Sequence, residues 1–116
     1  MAGQYRIIRL AVDAPLPAGL FEGGGFVSVT RTEEETSIVC AQDVSLSAQR
    51  QAPGWTGFMV QGPLDFDEVG ILARLSAALA DAGVSLFAVS TFDTDYIFVR
   101  KAQDAKARIA LAPYLP

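Results

Sequence analysis

Glu68-Val69-Gly70-Ile71-Leu72-Ala73-Arg74-Leu75-Ser76-Ala77-Ala78-Leu79-Ala80-Asp81-Ala82-Gly83-Val84-Ser85-Leu86-Phe87-Ala88-Val89-Ser90 changes its apolar period partway along, and that change decides the fold class. Val69, Leu72, Leu75 and Leu79 recur at intervals of three and four, which gathers apolar side chains on one face of a helix. The spacing predicts a helix over 68–82, closed by Gly83 as its C-terminal cap. At its start Asp65, with Glu68 three residues later, has the spacing of a capping box, and Asp67 is an equal candidate. From Val84 the pattern becomes that of a strand. Val84, Leu86 and Ala88 face one side and Phe87 and Val89 the other, so residues 84–90 are expected to be buried on both faces. Helices would cover one face, and the first half of the chain or a second chain would cover the other.

Working outward, residues 55–61 and 96–100 read as strands and 102–111 as a closing helix. Nearer the start, 5–10 reads as a strand and 15–21 as a helical turn or two ended by Gly23-Gly24-Gly25. Two β-rich runs, 26–30 and 37–40, flank Glu33-Glu34-Glu35 as a hairpin. Adjacent carboxylates point in different directions, so this tip is read as a solvated turn rather than a metal site. Residues 48–54, with Gln, Pro and Gly, read as a linker. Each half then follows a β-α-β-β order, which divides the chain into 1–50 and 51–116. A ferredoxin-like unit needs one more strand than the second half supplies, so another segment must complete its sheet. The expected fold is α+β: two ferredoxin-like βαββ-type units packed together, with antiparallel sheets and helices on one face.

Composition narrows the chemistry. The 116 residues are 51% apolar and 19% charged, as in a globular protein. Nine basic against thirteen acidic residues give a net charge of −4, which argues against nucleic acid as a partner. The basic residues from Arg100 to Arg108 read as a solvated helix face. Without histidine, and with Cys40 alone, the chain has no Ser–His or Cys–His pair and no common zinc set. Cys40 lies in an apolar run and is expected to be a buried structural thiol in a reducing cytoplasm. Neither a leader nor a stretch of bilayer length is evident, so no membrane association is expected, and neither is a cofactor or metal.

Two loops carry the functional interest. In 62–72, Gly70 sits in the predicted first helical turn, where glycine is a poor helix former. Its missing side chain would either admit a ligand carboxylate to the free N–H groups of the helix start or simply pack under a neighbouring unit. In 90–96, Ser90-Thr91-Phe92-Asp93-Thr94-Asp95-Tyr96 reads as a hydrogen-bonded hairpin turn. Placed at the same sheet end as the helix start, it would let Glu68 and Asp95 meet a ligand ammonium or guanidinium.

With these residues in view, Asp67-Glu68-Val69-Gly70-Ile71-Leu72-Ala73, continuing through Leu79 to Leu86, resembles the helix signature of ACT domains, regulatory modules that bind amino acids between units. Gly54-Trp55, Gly62-Pro63-Leu64-Asp65-Phe66 and the 90–96 loop resemble, more narrowly, the tandem-ACT subfamily that includes CASTOR-type arginine sensors and short bacterial ACT proteins. The resemblance is strong over 54–100 and weaker before it. It implies a degenerate ACT-like unit in 1–50 and an ACT unit in 51–116. It also implies a ligand held by Glu68, Gly70, Ile71, Thr91, Phe92 and Asp95 at an inter-unit or dimer interface. Glycine backbone and the Thr–Phe pair would hold the amino-acid head group, and the acidic residues a cationic tail. Val69 departs from the threonine usual before Gly-Ile, which removes one polar contact, so arginine specificity does not carry over.

The expected function is therefore a non-catalytic amino-acid sensor, its partners a small-molecule amino acid and a second copy or a regulated protein. The alternative is a protein–protein interaction module with a degenerate pocket. A small ferredoxin-like hydrolase of the acylphosphatase kind would need an arginine-bearing anion loop, and 62–67 offers only Gly, Pro, Leu, Phe and acids.

Overall fold

The computed structural model describes residues 1–48, 50–60 and 70–116. Strands β1 (Tyr5–Leu10), β2 (Ser28–Arg31), β3 (Thr36–Ala41) and β4 (Arg50–Met59) precede helix α1 (Ile71–Asp81). Strands β5 (Leu86–Ser90) and β6 (Asp95–Arg100) and helix α2 (Asp104–Leu111) follow. The class is α+β. Two compact units divide the chain, Gly3–Gly54 and Trp55–Pro116, the latter joined by Met1–Ala2.

In the unit Gly3–Gly54, β3 lies between β1 and β2 and is antiparallel to both. Ile8, Leu20, Ile38 and Cys40 form its core, flanked by Leu10, Val27, Val29, Val44, Leu46 and Ala48. The helical turn expected over 15–21, and with it the βαββ order of the first half, is corrected: this segment is non-helical. Pro17 removes a backbone donor, and Gly19 adopts a left-handed φ of 76°. The chain instead closes tight turns, Leu20 N–H to Pro17 O at 3.3 Å and Glu22 N–H to Gly19 O at 3.1 Å. Leu20, 3% exposed, supplies the apolar contact that a helix would have made.

The expected linker 48–54 is also corrected, since β4 begins at Arg50. Proline and glycine inside a strand suggested a break, yet Pro53 needs no donor and Gly54 takes φ 82°. The Gly54 N–H is satisfied by the side-chain oxygen of Gln42 at 2.8 Å.

In the unit Trp55–Pro116, β6 is antiparallel to β4 on one side and β5 on the other. β6, rather than β5, is the strand buried on both faces: Ile97, Phe98 and Val99 are fully buried. β5 forms the edge of this three-strand group, half-buried with Ala88 exposed. One face meets the helices through Phe58, Val60, Leu75, Leu79, Val84, Ile97, Val99, Ala107 and Leu111. On the other face Phe98 stacks on Phe87 at 4.8 Å and Trp55 meets Phe87 edge-on at 4.7 Å.

The helix expected over 68–82 is observed over Ile71–Asp81. Leu75 and Leu79 are fully buried as predicted, whereas Leu72 is exposed and Ile71 packs on the core. Asp65, Asp67, Glu68 and Val69 lie outside the described residues. At the other end Gly83 adopts φ 75°, and Val84 N–H reaches Leu79 O at 2.9 Å, the closing bond of a glycine C-cap. Two of the basic residues of 100–108 are engaged locally. Arg100 lies over the Trp55 ring at 4.1 Å, and Arg108 pairs with Asp104 at 2.8 Å. No helix among the described residues is long and apolar enough to cross a membrane.

Candidate functional site

β4 and β5 are both antiparallel to β6 and hence parallel to each other, so α1, the crossover between them, runs in the opposite direction. Its first residues therefore lie at the C-terminal ends of β4 and β5, the same end as the turn between β5 and β6. The register thus brings Gly70 and Ile71 to the same sheet end as Thr91, Phe92 and Asp95. Glu68 lies outside the described residues.

Gly70 is the residue before α1 rather than part of its first turn, and its φ is 84°. Glycine is required here for its backbone conformation: a side chain in left-handed φ is strained, and an added Cβ would meet Arg74 Nη1 at 3.3 Å. Among the described residues the helix start has no side-chain cap, and its first turn holds no acidic residue. Its leading N–H groups and the positive end of the helix dipole are therefore suited to a carboxylate. Gly70→Ala is expected to cost about 1–2 kcal/mol in a denaturant titration, and Gly70→Asn less, because asparagine tolerates left-handed φ.

The β5–β6 turn is internally bonded. Thr91 N–H donates to Thr94 O at 2.9 Å, and Ser90 Oγ donates to Asp95 Oδ1 at 2.5 Å. Thr94, which the sequence reading did not single out, is 7% exposed and donates through Oγ1 to Val60 O at 2.9 Å. Val60 N–H reaches Asp95 O at 3.0 Å. These two bonds fasten the turn to the end of β4. A hydroxyl inside a turn sequence gives no sign of a partner 34 residues away, so Thr94 was invisible until the strands were paired. Phe92 projects from this fixed turn and is 79% exposed. Uncapped N–H groups, the Asp95 carboxylate and an exposed aromatic ring at one sheet end are the elements needed to hold a small zwitterion.

A second polar feature belongs to the unit Gly3–Gly54. Arg6 is only 6% exposed, and it donates to Val44 O at 2.6 Å, Leu46 O at 3.0 Å and Gln51 Oε1 at 2.9 Å. It stands opposite Cys40 in the β1–β3 register. Burial pushes the Cys40 thiol above its ordinary value of 9.0, opposed in part by Arg6, and burial likewise raises Tyr5 above 10.0. Both groups keep their protons to higher pH in the folded than in the unfolded chain. Their contribution to stability is thus full below the unfolded values and lost as pH rises through the folded ones. Thermal denaturation should show stability falling above about pH 9, with the lower part of the fall reduced in Cys40→Ala.

A family model described as ACT domain matches residues 51–112, and a model of an N-terminal domain matches residues 3–47. A crystallised protein from Agobacterium tumefaciens is 44% identical, with a TM-score of 0.82, covering 96% of this chain and 82% of its own. A protein of unknown function from Vibrio cholerae shares the fold at 21% identity and a TM-score of 0.71, covering 97% and 84%. No curated protein matches the chain.

Proposed function

Since the chain belongs to the ACT domain family, whose members are generally regulatory rather than catalytic, we propose that it is a non-catalytic sensor of an amino acid. The observation that carries this reading is the shared sheet end of the uncapped start of α1 and the fixed β5–β6 turn. The ligand carboxylate lies on the N–H groups at Gly70 and Ile71, the Thr91–Phe92 pair packs against its body, and Asp95, with Glu68, receives its ammonium or side-chain cation. In this reading residues 1–50 are a degenerate companion unit, the chain falls in the tandem-ACT group, and it works in the cytoplasm on a regulated partner or as a dimer.

The exposure of Phe92 beside a turn already bonded within itself supports a second reading, an interaction module with a protein as its ligand. A thermal-shift scan against the twenty amino acids separates the two. Binding to the native state alone raises the melting temperature by an amount set by ligand concentration over Kd. The sensor reading expects a shift with one amino acid or a related group, lost in Asp95→Ala. No shift at millimolar ligand supports the interaction module.

A further inference from the structure

Among the described strands, β5 pairs with β6 alone and closes one edge of the sheet. Two bonds fix the direction of its backbone groups. Thr91 N–H donates to Thr94 O at 2.9 Å across the β5–β6 turn, and Val60 N–H donates to Asp95 O at 3.0 Å beyond the end of β4. Along an antiparallel strand, successive residues direct both backbone groups to alternate neighbours. Asp95, Ile97 and Val99 therefore serve β4, while Tyr96 and Phe98 serve Val89 and Phe87. The N–H and C=O groups of Leu86, Ala88 and Ser90 are left pointing out from the edge.

Sheet edges are commonly guarded by charge, proline, a bulge or short length. Residues 82–92 contain neither a charge nor a proline. All five residues of β5 oppose single residues of β6 in unbroken register, so no bulge turns the edge away. The opposite edge differs. β2 is four residues long, includes Arg31 and runs into Glu33-Glu34-Glu35. One edge is guarded and the other is open.

The open edge is complementary to itself. A two-fold axis at Ala88 sets Ala88 opposite its counterpart, Leu86 opposite Ser90, and Phe87 opposite Val89. Every outward N–H and C=O then meets its complement, and Phe87 with Val89 makes an aromatic–β-branched pair across the junction. An axis at Leu86 instead would leave Ser90 unmatched and set Phe87 against Ser85. Charge favours the same arrangement. The start of β5 lies beside Arg100 and Lys101, with Asp81 at the end of α1, whereas Asp93 and Asp95 follow its end. Antiparallel pairing brings the basic end of each copy to the acidic end of the other, and parallel pairing would join like to like.

We propose that β5 is a dimerisation edge, on which the β5 strand of a second copy pairs antiparallel about a two-fold axis at Ala88. With the β2 edge guarded, association closes at two copies rather than propagating. The proposal rests on the sheet edge alone and is independent of the amino-acid reading, so it is tested without ligand.

Sedimentation equilibrium of the intact chain from about 1 μM to about 1 mM reads the association, and amide hydrogen exchange locates it. Expected is a reversible monomer–dimer equilibrium in which the Leu86, Ala88 and Ser90 amides slow as the dimer forms. The Phe87 and Val89 amides, bonded to β6, should be protected at every concentration. Ala88→Pro removes only an outward donor and should weaken the dimer about tenfold or more. Ala88→Lys sets like charges opposite each other and should weaken it too, while a mixture of Ala88→Lys and Ala88→Asp should pair. Protection of Phe87 and Val89 in these variants shows that β5 is still in place. A monomer throughout, species larger than a dimer, or a dimer whose Ala88 amide does not slow would overturn the proposal. So would a dimer of undiminished strength in both Ala88→Pro and Ala88→Lys.

Discussion

Phe98→Ala is expected to lower unfolding free energy by about 3–5 kcal/mol, the range for removing an aromatic ring from a core that collapses incompletely. Phe98 is fully buried at the middle of β6, stacked on Phe87 at 4.8 Å. The opposing residue on β4 is Gly57, where an added Cβ would meet Phe98 Cε1 at 3.0 Å and Met1 Sδ at 3.1 Å. With glycine across from the ring and its neighbours tied into the ladder, little is free to fill the space. For a chain of this size the loss is a large part of the total stability. A urea titration followed by tryptophan fluorescence measures it, since Trp55 meets the Phe87 ring on which Phe98 stacks. Phe92→Ala is the internal control: the same ring removed from a site 79% exposed should change stability by less than about 0.5 kcal/mol.

The second large effect belongs to Arg6. Arg6→Met keeps much of the side-chain volume yet leaves Val44 O, Leu46 O and Gln51 Oε1 without the donors they have in the native chain. Part-buried acceptors that lose a charged donor cost more than the donor's net contribution, and the expected loss is about 1–3 kcal/mol. Arg6→Lys should recover part of it, because an ammonium can serve one or two of the three acceptors. Denaturant titration of the pair checks both statements. The Gln51 side-chain NMR signals add a readout that general destabilisation does not predict: in Arg6→Lys under native conditions they should move, because the group that orients the amide has changed.

Local pattern made one part of this structure legible and non-local pairing hid the rest. The change of period at Gly83 announced α1 and the strand that follows, because a helix stripe and a glycine cap are written in neighbouring residues. Leu75 and Leu79 fell where the spacing put them. Which strand is buried on both faces was not legible. The apolar run of β5 is as rich as that of β6, and only strand order leaves one at the edge of the group and the other in its middle. The first half misled for a different reason. Pro15, Pro17 and Gly19 were compatible with a short helix by length, yet the left-handed Gly19 turns the chain instead, and Leu20 is delivered to the core from a loop. Proline and glycine at 53–54 likewise resembled a linker, until the Gln42 side chain is seen to satisfy Gly54 within a strand.

The residues of the proposed site and the two polar anchors divide along the same line. Thr91, Phe92 and Asp95 could be singled out because their segment is recognisable as a motif. Gly70 stood out as anomalous in a helix, and the physical reason for glycine there is its positive φ before the helix starts. Arg6 carries no local signal of its role, since its backbone acceptors lie 38 and 40 residues further along. Thr94 was hidden in the same way.

The central claim, that the ACT unit binds an amino acid at the end of the sheet shared by α1 and the β5–β6 turn, is tested most directly by amide NMR on the intact chain. The chain is titrated with the twenty amino acids in turn. The account predicts saturable shifts for one amino acid or a related group, largest at Gly70, Ile71, Thr91, Phe92 and Asp95, and absent in Asp95→Ala. No saturable shift with any amino acid at millimolar concentration, or the same shifts in Asp95→Ala, would contradict it.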